Sequence, residues 1–293
     1  MKILVTGAAG QLGRETQLAL EAEGEEVIAI DRDELDLSRP EQVKDFVVEQ
    51  KADWVIHCAA YTAVDKAEED QEIAFAVNRD SARAIAEGVK ASGGRLLHVS
   101  TDFIFGGDQS TPYREDDPAN PLGVYGLSKW EGEVAVREVI PDASILRTAW
   151  VYGMYGNNFV KTMLRLASER DTLRIVDDQI GSPSNTQDIY RAMRSLMDKN
   201  AMGTFHFTNE GVTSWYDFAW QIINEGAAMG FPVKTETILP IPSKDFPTPA
   251  KRPHYSVLSK EKIRPILDYD IPHWRTSLTT MLEKLKLEQL ETA

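Results

Sequence analysis

Ile3-Leu4-Val5-Thr6-Gly7-Ala8-Ala9-Gly10-Gln11-Leu12-Gly13 is the stretch on which the reading of this chain turns. Ile3-Leu4-Val5 is a short apolar run, suited to a buried parallel strand. Gly7, Gly10 and Gly13 then allow a tight turn and close backbone approach, and Leu18, Ala19 and Leu20 follow at helical spacing. Strand, glycine turn and helix present the free N–H groups of a helix N-terminus, a place that favours a phosphate. The spacing is G-x-x-G-x-x-G rather than G-x-G-x-x-G, and a plain tight turn between strand and helix would also use it.

Working outward, Val27-Ile28-Ala29-Ile30 reads as a second strand ending at Asp31. An acidic residue there can hydrogen-bond the ribose hydroxyls of a dinucleotide. Arg32 follows and could meet a 2′-phosphate, so NADH and NADPH both stay open, with the aspartate favouring NAD. Asp36-Leu37 leads to Ser38, Pro40 and Glu41, a helix start with Ser38 as N-cap and an end near Gln50. Trp54-Val55-Ile56-His57 is the next strand. After it, the small residues of Cys58-Ala59-Ala60-Tyr61-Thr62 let a flat ligand lie against the backbone; His57 and Cys58 read as packed residues. Helices are expected over 63–69 and 72–91, with Asn78 inside the second. Leu96-Leu97-His98-Val99 is a fourth strand, ending in Ser100-Thr101-Asp102. Thr101 stands at the carboxyl end of a sheet strand, where open α/β sheets bind ligands, and can hydrogen-bond a substrate carbonyl. The long, proline-rich loop from Phe103 to Val124 is of a kind that is uncommon unless functional.

Tyr125-Gly126-Leu127-Ser128-Lys129 opens a helix that stops near Pro141. Positions four apart share a helix face, so the Tyr125 phenol and the Lys129 ammonium can point into one space. A nearby cation lowers a tyrosine pKa and suits the phenol to proton transfer. Ala143–Arg147 is a further strand. Alternating strands and helices to this point predict a doubly wound parallel sheet, α/β and Rossmann-type, over 1–150. Beyond Trp150-Val151-Tyr152-Gly153 the rhythm changes. Helices are expected after Asn158, over Asp188–Met197, after Ser214 as cap, and from about Pro272. Thr204–Phe207 is a strand that can return to the first sheet. The organisation expected is a dinucleotide-binding domain of 1–150 plus about 184–208, and a smaller, mostly helical substrate domain of about 151–183 and 209–293. Asp177-Asp178 reads as a solvated turn, no His/Cys cluster has metal-ligand spacing, and the tail after Leu287 is expected to fray.

The chain has 293 residues, 42% hydrophobic and 27% charged, enough to bury a large core without staples. Its net charge of −14 argues against a general partner in nucleic acid or an anionic membrane. Cys58 is the single cysteine, so no disulfide framework is expected. The first residues enter the glycine turn too early for a secretory signal, and no apolar run approaches a membrane span; a cytoplasmic protein is expected.

Gly7-x-x-Gly10-x-x-Gly13, Asp31, Ser100-Thr101 and Tyr125-x-x-x-Lys129, in this order, resemble the extended short-chain dehydrogenase/reductase superfamily. The resemblance covers the whole chain. It is sharpest in Ala60-Tyr61-Thr62-Ala63-Val64-Asp65-Lys66-Ala67-Glu68, Ser100–Phe105, Leu146–Gly153 and Asp177–Pro183, which are similar to reductases of nucleotide-linked 6-deoxy sugars. It departs at Phe103-Ile104, where such reductases more often have Tyr-Val. The resemblance implies NADH- or NADPH-dependent reduction of the C4 ketone of dTDP-4-dehydro-L-rhamnose to dTDP-L-rhamnose, in the making of cell-surface polysaccharide. Carried over by position, Gly10, Gln11 and Leu12 sit on the pyrophosphate, and Gly7 belongs to the cofactor site. Asp31 holds the adenosine ribose, and Asp36 and Leu37 flank the adenine. Ala60, Tyr61 and Thr62 lie along the cofactor. Tyr125 and Lys129 serve cofactor and chemistry, with Tyr125 as proton donor, and Thr101, Asp102 and Trp150 meet the sugar. Resemblance alone would allow a homodimer and Mg²⁺; no motif establishes either. Other readings within the superfamily are a different nucleotide-sugar reductase, an epimerase, or a 4,6-dehydratase. The dehydratases commonly carry an Asp-Glu pair after the threonine, and here Phe103 follows Asp102. A non-catalytic regulatory subunit, similar to the beta subunit of methionine adenosyltransferase, is the alternative from outside enzymology.

Overall fold

The structure is a computed structural model that describes residues 1–291. Its elements are β1 (Lys2–Thr6), α1 (Gln11–Ala22), β2 (Glu26–Ile30), α2 (Pro40–Gln50), β3 (Trp54–His57), α3 (Val64–Ala67), α4 (Gln71–Phe75), α5 (Ser81–Ser92), β4 (Arg95–Thr101) and α6 (Val124–Val139). They continue with β5 (Ser144–Thr148), β6 (Val151–Tyr152), α7 (Phe159–Glu169), β7 (Thr172–Val176), β8 (Ile180–Gly181), β9 (Ser184–Asn185) and α8 (Thr186–Asp198). The last are β10 (Gly203–His206), β11 (Thr213–Ser214), α9 (Trp215–Ala228), β12 (Thr237–Ile241) and α10 (Trp274–Glu291). Among the described residues, no helix is long and apolar enough to cross a membrane.

Six strands form one parallel sheet in the order β10-β5-β4-β3-β1-β2. Its strands are apolar on both faces because helices cover both. Ile3, Val5, Ile56, Leu97 and Leu146 pack under α1 and α8; Leu4, Val55, Leu96 and Ile145 pack under α2, α5 and α6. The chain leaves β1 toward β2 on one side and resumes at β3 on the other. That reversal opens a crevice at the carboxyl ends of β1 and β3, the place where such sheets bind ligands. β10 does return to this sheet, pairing Gly203 with Ser144 and His206 with Arg147.

A second apolar cluster lies outside the sheet. Tyr152, Val160 and Met163 pack there with Phe218, Ile222, Trp274 and Leu278, so that α7, α9 and α10 share one core. It includes strand pairs that periodicity did not predict. β12 runs parallel to β7, and Pro240 stands within it, as an edge strand allows. β8 pairs with β11 and β6 with β9, each over only two residues, too short for an alternating pattern.

Two local expectations are corrected. Ser38 does not cap α2: its hydroxyl turns back to Asp36 at 2.7 Å, and Arg39 holds the N-cap position. The helix expected over 72–91 is interrupted by a π-helical turn, Ala76–Asp80, between α4 and α5. α10 runs to Glu291, and the last residues of the tail expected to fray, Thr292 and Ala293, lie outside the described residues.

Candidate active site

A cavity of about 660 Å³ fills the crevice, within the roughly 300–1,000 Å³ typical of small-molecule and cofactor sites. One end is the glycine turn. Gly7 has φ +72°, and a Cβ there would stand 2.8 Å from the Ala59 backbone. A Cβ on Gly13 would run into the Gly7 carbonyl. Both positions therefore demand glycine, which brings α1 hard against the strand end. α1 starts at Gln11 without a side-chain cap, leaving its first N–H groups for an anion. The Gln11 Oε1 is buried with no protein partner. Asp31, Arg32, Asp36 and Leu37 line the same end, and the Asp31 carboxylate accepts from the Ala9 N–H at 2.8 Å. The open helix N-terminus, the glycine cradle and the carboxylate at the end of β2 fit a dinucleotide. Gly7, Gly10, Gln11 and Leu12 would hold its pyrophosphate and Asp31 a ribose.

Ala60 and Thr62 also line the cavity, but Tyr61 does not. Its phenol donates to Asp70 at 2.9 Å, and both of its backbone groups are taken by Asn78. The Asn78 amide accepts from the Tyr61 N–H (2.8 Å) and donates to the Tyr61 carbonyl (3.2 Å) and to the Ser128 hydroxyl (2.9 Å). Ser128 in turn donates to the Tyr125 carbonyl at 2.9 Å. The π-helical turn aims Asn78 inward, and Gly132 lets α6 lie directly against the Asn78 carbonyl. A side chain with no periodic signal thus fastens the segment of the cavity wall around Tyr61 to the helix that carries Tyr125.

Thr101, Asp102, Tyr125, Lys129 and Trp150 line the same cavity. The Lys129 ammonium, nearly fully buried, donates to the Val99 carbonyl at 2.8 Å. Burial pushes it down to about 8, and Glu133, one turn on along α6, opposes that. The lowered Tyr125 pKa expected from Lys129 is not found. Burial pushes the phenol up to about 12, the Thr101 hydroxyl offsets part of this, and the Asp102 carboxylate adds to it. The phenol is therefore neutral at physiological pH, the state a proton donor requires. Burial also pushes Asp102 up to about 6, opposed by the Ser256 and Thr101 hydroxyls. Its Oδ1 accepts from Thr101 at 3.1 Å, while its Oδ2 is buried without a partner.

Beside these residues lies a buried ionic knot. The Glu133 carboxylate meets Arg147 twice, at 2.9 and 2.8 Å, and accepts from Ser100 (2.6 Å) and Arg137 (3.0 Å). Burial raises Glu133, but these partners outweigh it and hold the carboxyl below its usual range. Ser100 adjoins Thr101, and Glu133 follows Lys129 at i+4, so the knot fixes both the strand end and the helix. That i+4 spacing was visible in the sequence; Arg147 as its partner was not.

Trp150 has a left-handed backbone, φ +48°, a conformation costing about 1–3 kcal/mol outside glycine. It marks where the chain leaves β5 for the second core. Asp178 lies away from the cavity, its carboxylate accepting from the Ser243 N–H at 2.9 Å. Arg252 and Asp65 form a two-pronged pair, at 3.1 and 2.7 Å, that pins the segment after Ser243 to α3. Among the described residues, no group of three or more His, Cys, Asp or Glu side chains could hold a metal ion.

Comparison with known proteins agrees with this architecture. The chain is 43% identical over 286 residues to a dTDP-4-dehydrorhamnose reductase of Burkholderia thailandensis, covering 94% of this chain and 96% of that protein. A crystal structure of a dTDP-4-dehydrorhamnose reductase from Clostridium acetobutylicum superimposes with a TM-score of 0.91 at 41% identity, covering 98% of this chain and 100% of that one. Another from Bacillus anthracis, in complex with NADP, gives 0.90 at 36% identity, covering 97% and 99%. The sequence model of the RmlD substrate binding domain matches residues 1–287, and the chain belongs to that family, which includes dTDP-4-dehydrorhamnose reductases.

Proposed function

We propose that this protein reduces the C4 ketone of dTDP-4-dehydro-L-rhamnose to dTDP-L-rhamnose with NADH or NADPH. The observation that carries the reading is that Thr101, Tyr125, Lys129 and Trp150 line the same cavity as the glycine turn. The relatives' activity and the NADP bound by one of them support it. A bound nicotinamide would supply hydride to the carbonyl carbon. Tyr125, whose phenol is neutral, hydrogen-bonds the carbonyl oxygen and gives it a proton as negative charge develops there. Thr101, turning its hydroxyl proton from Asp102, supplies a second hydrogen bond to the same oxygen. Lys129, fixed by the Val99 carbonyl, holds the nicotinamide ribose and stabilises the phenolate left behind. Asp102 accepts from a sugar hydroxyl, which gives its unpartnered oxygen a donor. Trp150 forms a flat apolar wall to the ring. Arg32 beside Asp31 admits the 2′-phosphate of NADPH as well as the free ribose of NADH.

The test is oxidation of NADH and of NADPH at 340 nm with enzymatically prepared dTDP-4-dehydro-L-rhamnose, beside Tyr125→Phe. Turnover is expected for the native chain, with a loss of roughly 10²–10⁴-fold in the variant and dinucleotide binding retained. Normal turnover by Tyr125→Phe would remove the acid assignment. No turnover by folded native protein that still binds NADH would remove the substrate.

A further inference from the structure

Trp150 enters the cavity just after β5, and its ring packs against the core that α7, α9 and α10 share. The Trp150 and Trp215 rings stack with centroids 3.5 Å apart and planes within 7°. The indole edge fits over Gly181, where a Cβ would stand 2.6 Å from its Cε2. Pairing of Gly181 with Thr213 and of Ile180 with Ser214 brings that gap and Trp215 to one place. The Trp150 carbonyl accepts from the Ser184 N–H at 3.1 Å, which ties the left-handed backbone to the same region. Trp215 is itself seated. It opens α9 behind Ser214, whose hydroxyl caps the helix on the Asp217 N–H at 2.9 Å. It packs on Phe159 at 4.6 Å, and Phe159 stacks on the fully buried Phe218. Trp150 lines the cavity and Trp215 does not.

We propose that Trp215 is a positioning residue for the sugar: stacked on Trp150 opposite the Gly181 gap, it sets where the cavity's apolar wall stands, and so which sugar ring fits against it. This rests on the reading of Trp150 as the wall to the sugar. It makes sugar recognition a property of the α7–α9–α10 core, while the dinucleotide is held by the sheet. The two substrates are then separable by mutation.

Steady-state kinetics on Trp215→Leu, Trp215→Phe, Gly181→Ala and Trp150→Ala test it, with NADH affinity measured separately by fluorescence titration. Trp215→Leu should raise the KM for the nucleotide sugar about tenfold, the order that an aromatic pair supports, with NADH affinity unchanged. Trp215→Phe keeps an aromatic stack and should restore most of the loss. Gly181→Ala displaces the indole without altering Trp215, and should reproduce the KM rise even if Trp215→Leu folds poorly. The Trp150→Ala, Trp215→Leu double variant should be no worse than Trp150→Ala alone, since the two act as one unit. The inference is overturned if Trp215→Leu folds and leaves the sugar KM unchanged, if sugar KM and NADH affinity weaken together, or if the double variant is additive. If Trp150→Ala itself leaves the sugar KM unchanged, the assignment of Trp150 to the sugar falls and this inference falls with it.

Discussion

The Asn78 amide donates to the Ser128 hydroxyl at 2.9 Å, and through it the backbone of Tyr61 is joined to that of Tyr125. The link ties the wall of the cavity to the first turn of the helix that carries Tyr125. Each group in it is buried or half-buried, so a missing partner cannot be replaced at no cost by water.

Asn78→Ala should therefore lower stability by about 1–3 kcal/mol, from the polar groups it strands. It should also lower kcat in the protein that stays folded. Ser128→Ala cuts only the step to Tyr125 and should cost less stability. A urea midpoint beside a primary deuterium isotope effect from labelled NADH separates the two roles. A misplaced Tyr125 makes chemistry more rate-limiting and raises the isotope effect. An unchanged isotope effect in both variants would leave the link purely structural.

The pH dependence of kcat/KM should be bell-shaped. On the acid side, Asp102 titrates near about 6, and activity should rise as the carboxylate forms. On the alkaline side, Lys129 titrates near about 8, and activity should fall as the ammonium is lost. Asp102→Asn should abolish the acid limb and leave the alkaline one.

The same carboxyl bears on stability. Its folded pKa of about 6 lies above the ordinary 3.8, so ionisation is disfavoured by folding. That contribution to stability is fully present below pH ~4 and is lost as pH rises through about 6. Asp102→Asn should consequently stabilise the protein at pH 8, by up to about 3 kcal/mol, and make little difference at pH 3.5. Denaturant titrations at the two pH values check it. An equal effect at both would mean that the charge is not the cause.

Glu133→Gln leaves Arg147 buried without its carboxylate, and should cost about 3–5 kcal/mol, read from the denaturation midpoint. A loss below about 1 kcal/mol, the scale of exposed pairs, would show that the knot is wetter than its burial indicates.

Arg32→Ala should weaken NADPH roughly tenfold, the scale of a charge-assisted hydrogen bond, and leave NADH nearly unchanged. Parallel NADH and NADPH titrations decide it. Equal losses would place Arg32 on a group the two cofactors share.

By itself, the sequence determined the order of strands and helices through β5, the glycine turn and the setting of Tyr125 and Lys129 on one helix that lines the cavity. All of these rest on local rules: apolar runs for buried strands, glycine where backbone must approach backbone, and an i+4 step for two side chains on one face. It also placed Asp31 and Thr101 at strand ends, because the carboxyl ends of a parallel sheet share one edge. What only the tertiary structure decided depends on partners far apart in the chain. The phenol was expected to be acidified by Lys129, but burial from several elements together raises it instead. The clamp on Tyr61, its backbone held by Asn78 and its phenol by Asp70, joins residues up to 17 positions apart that no periodicity links. Trp150 meets Trp215 across 65 positions of sequence, through strand pairs only two residues long. No periodicity encodes such a meeting, since it arises when separate segments close around a shared core.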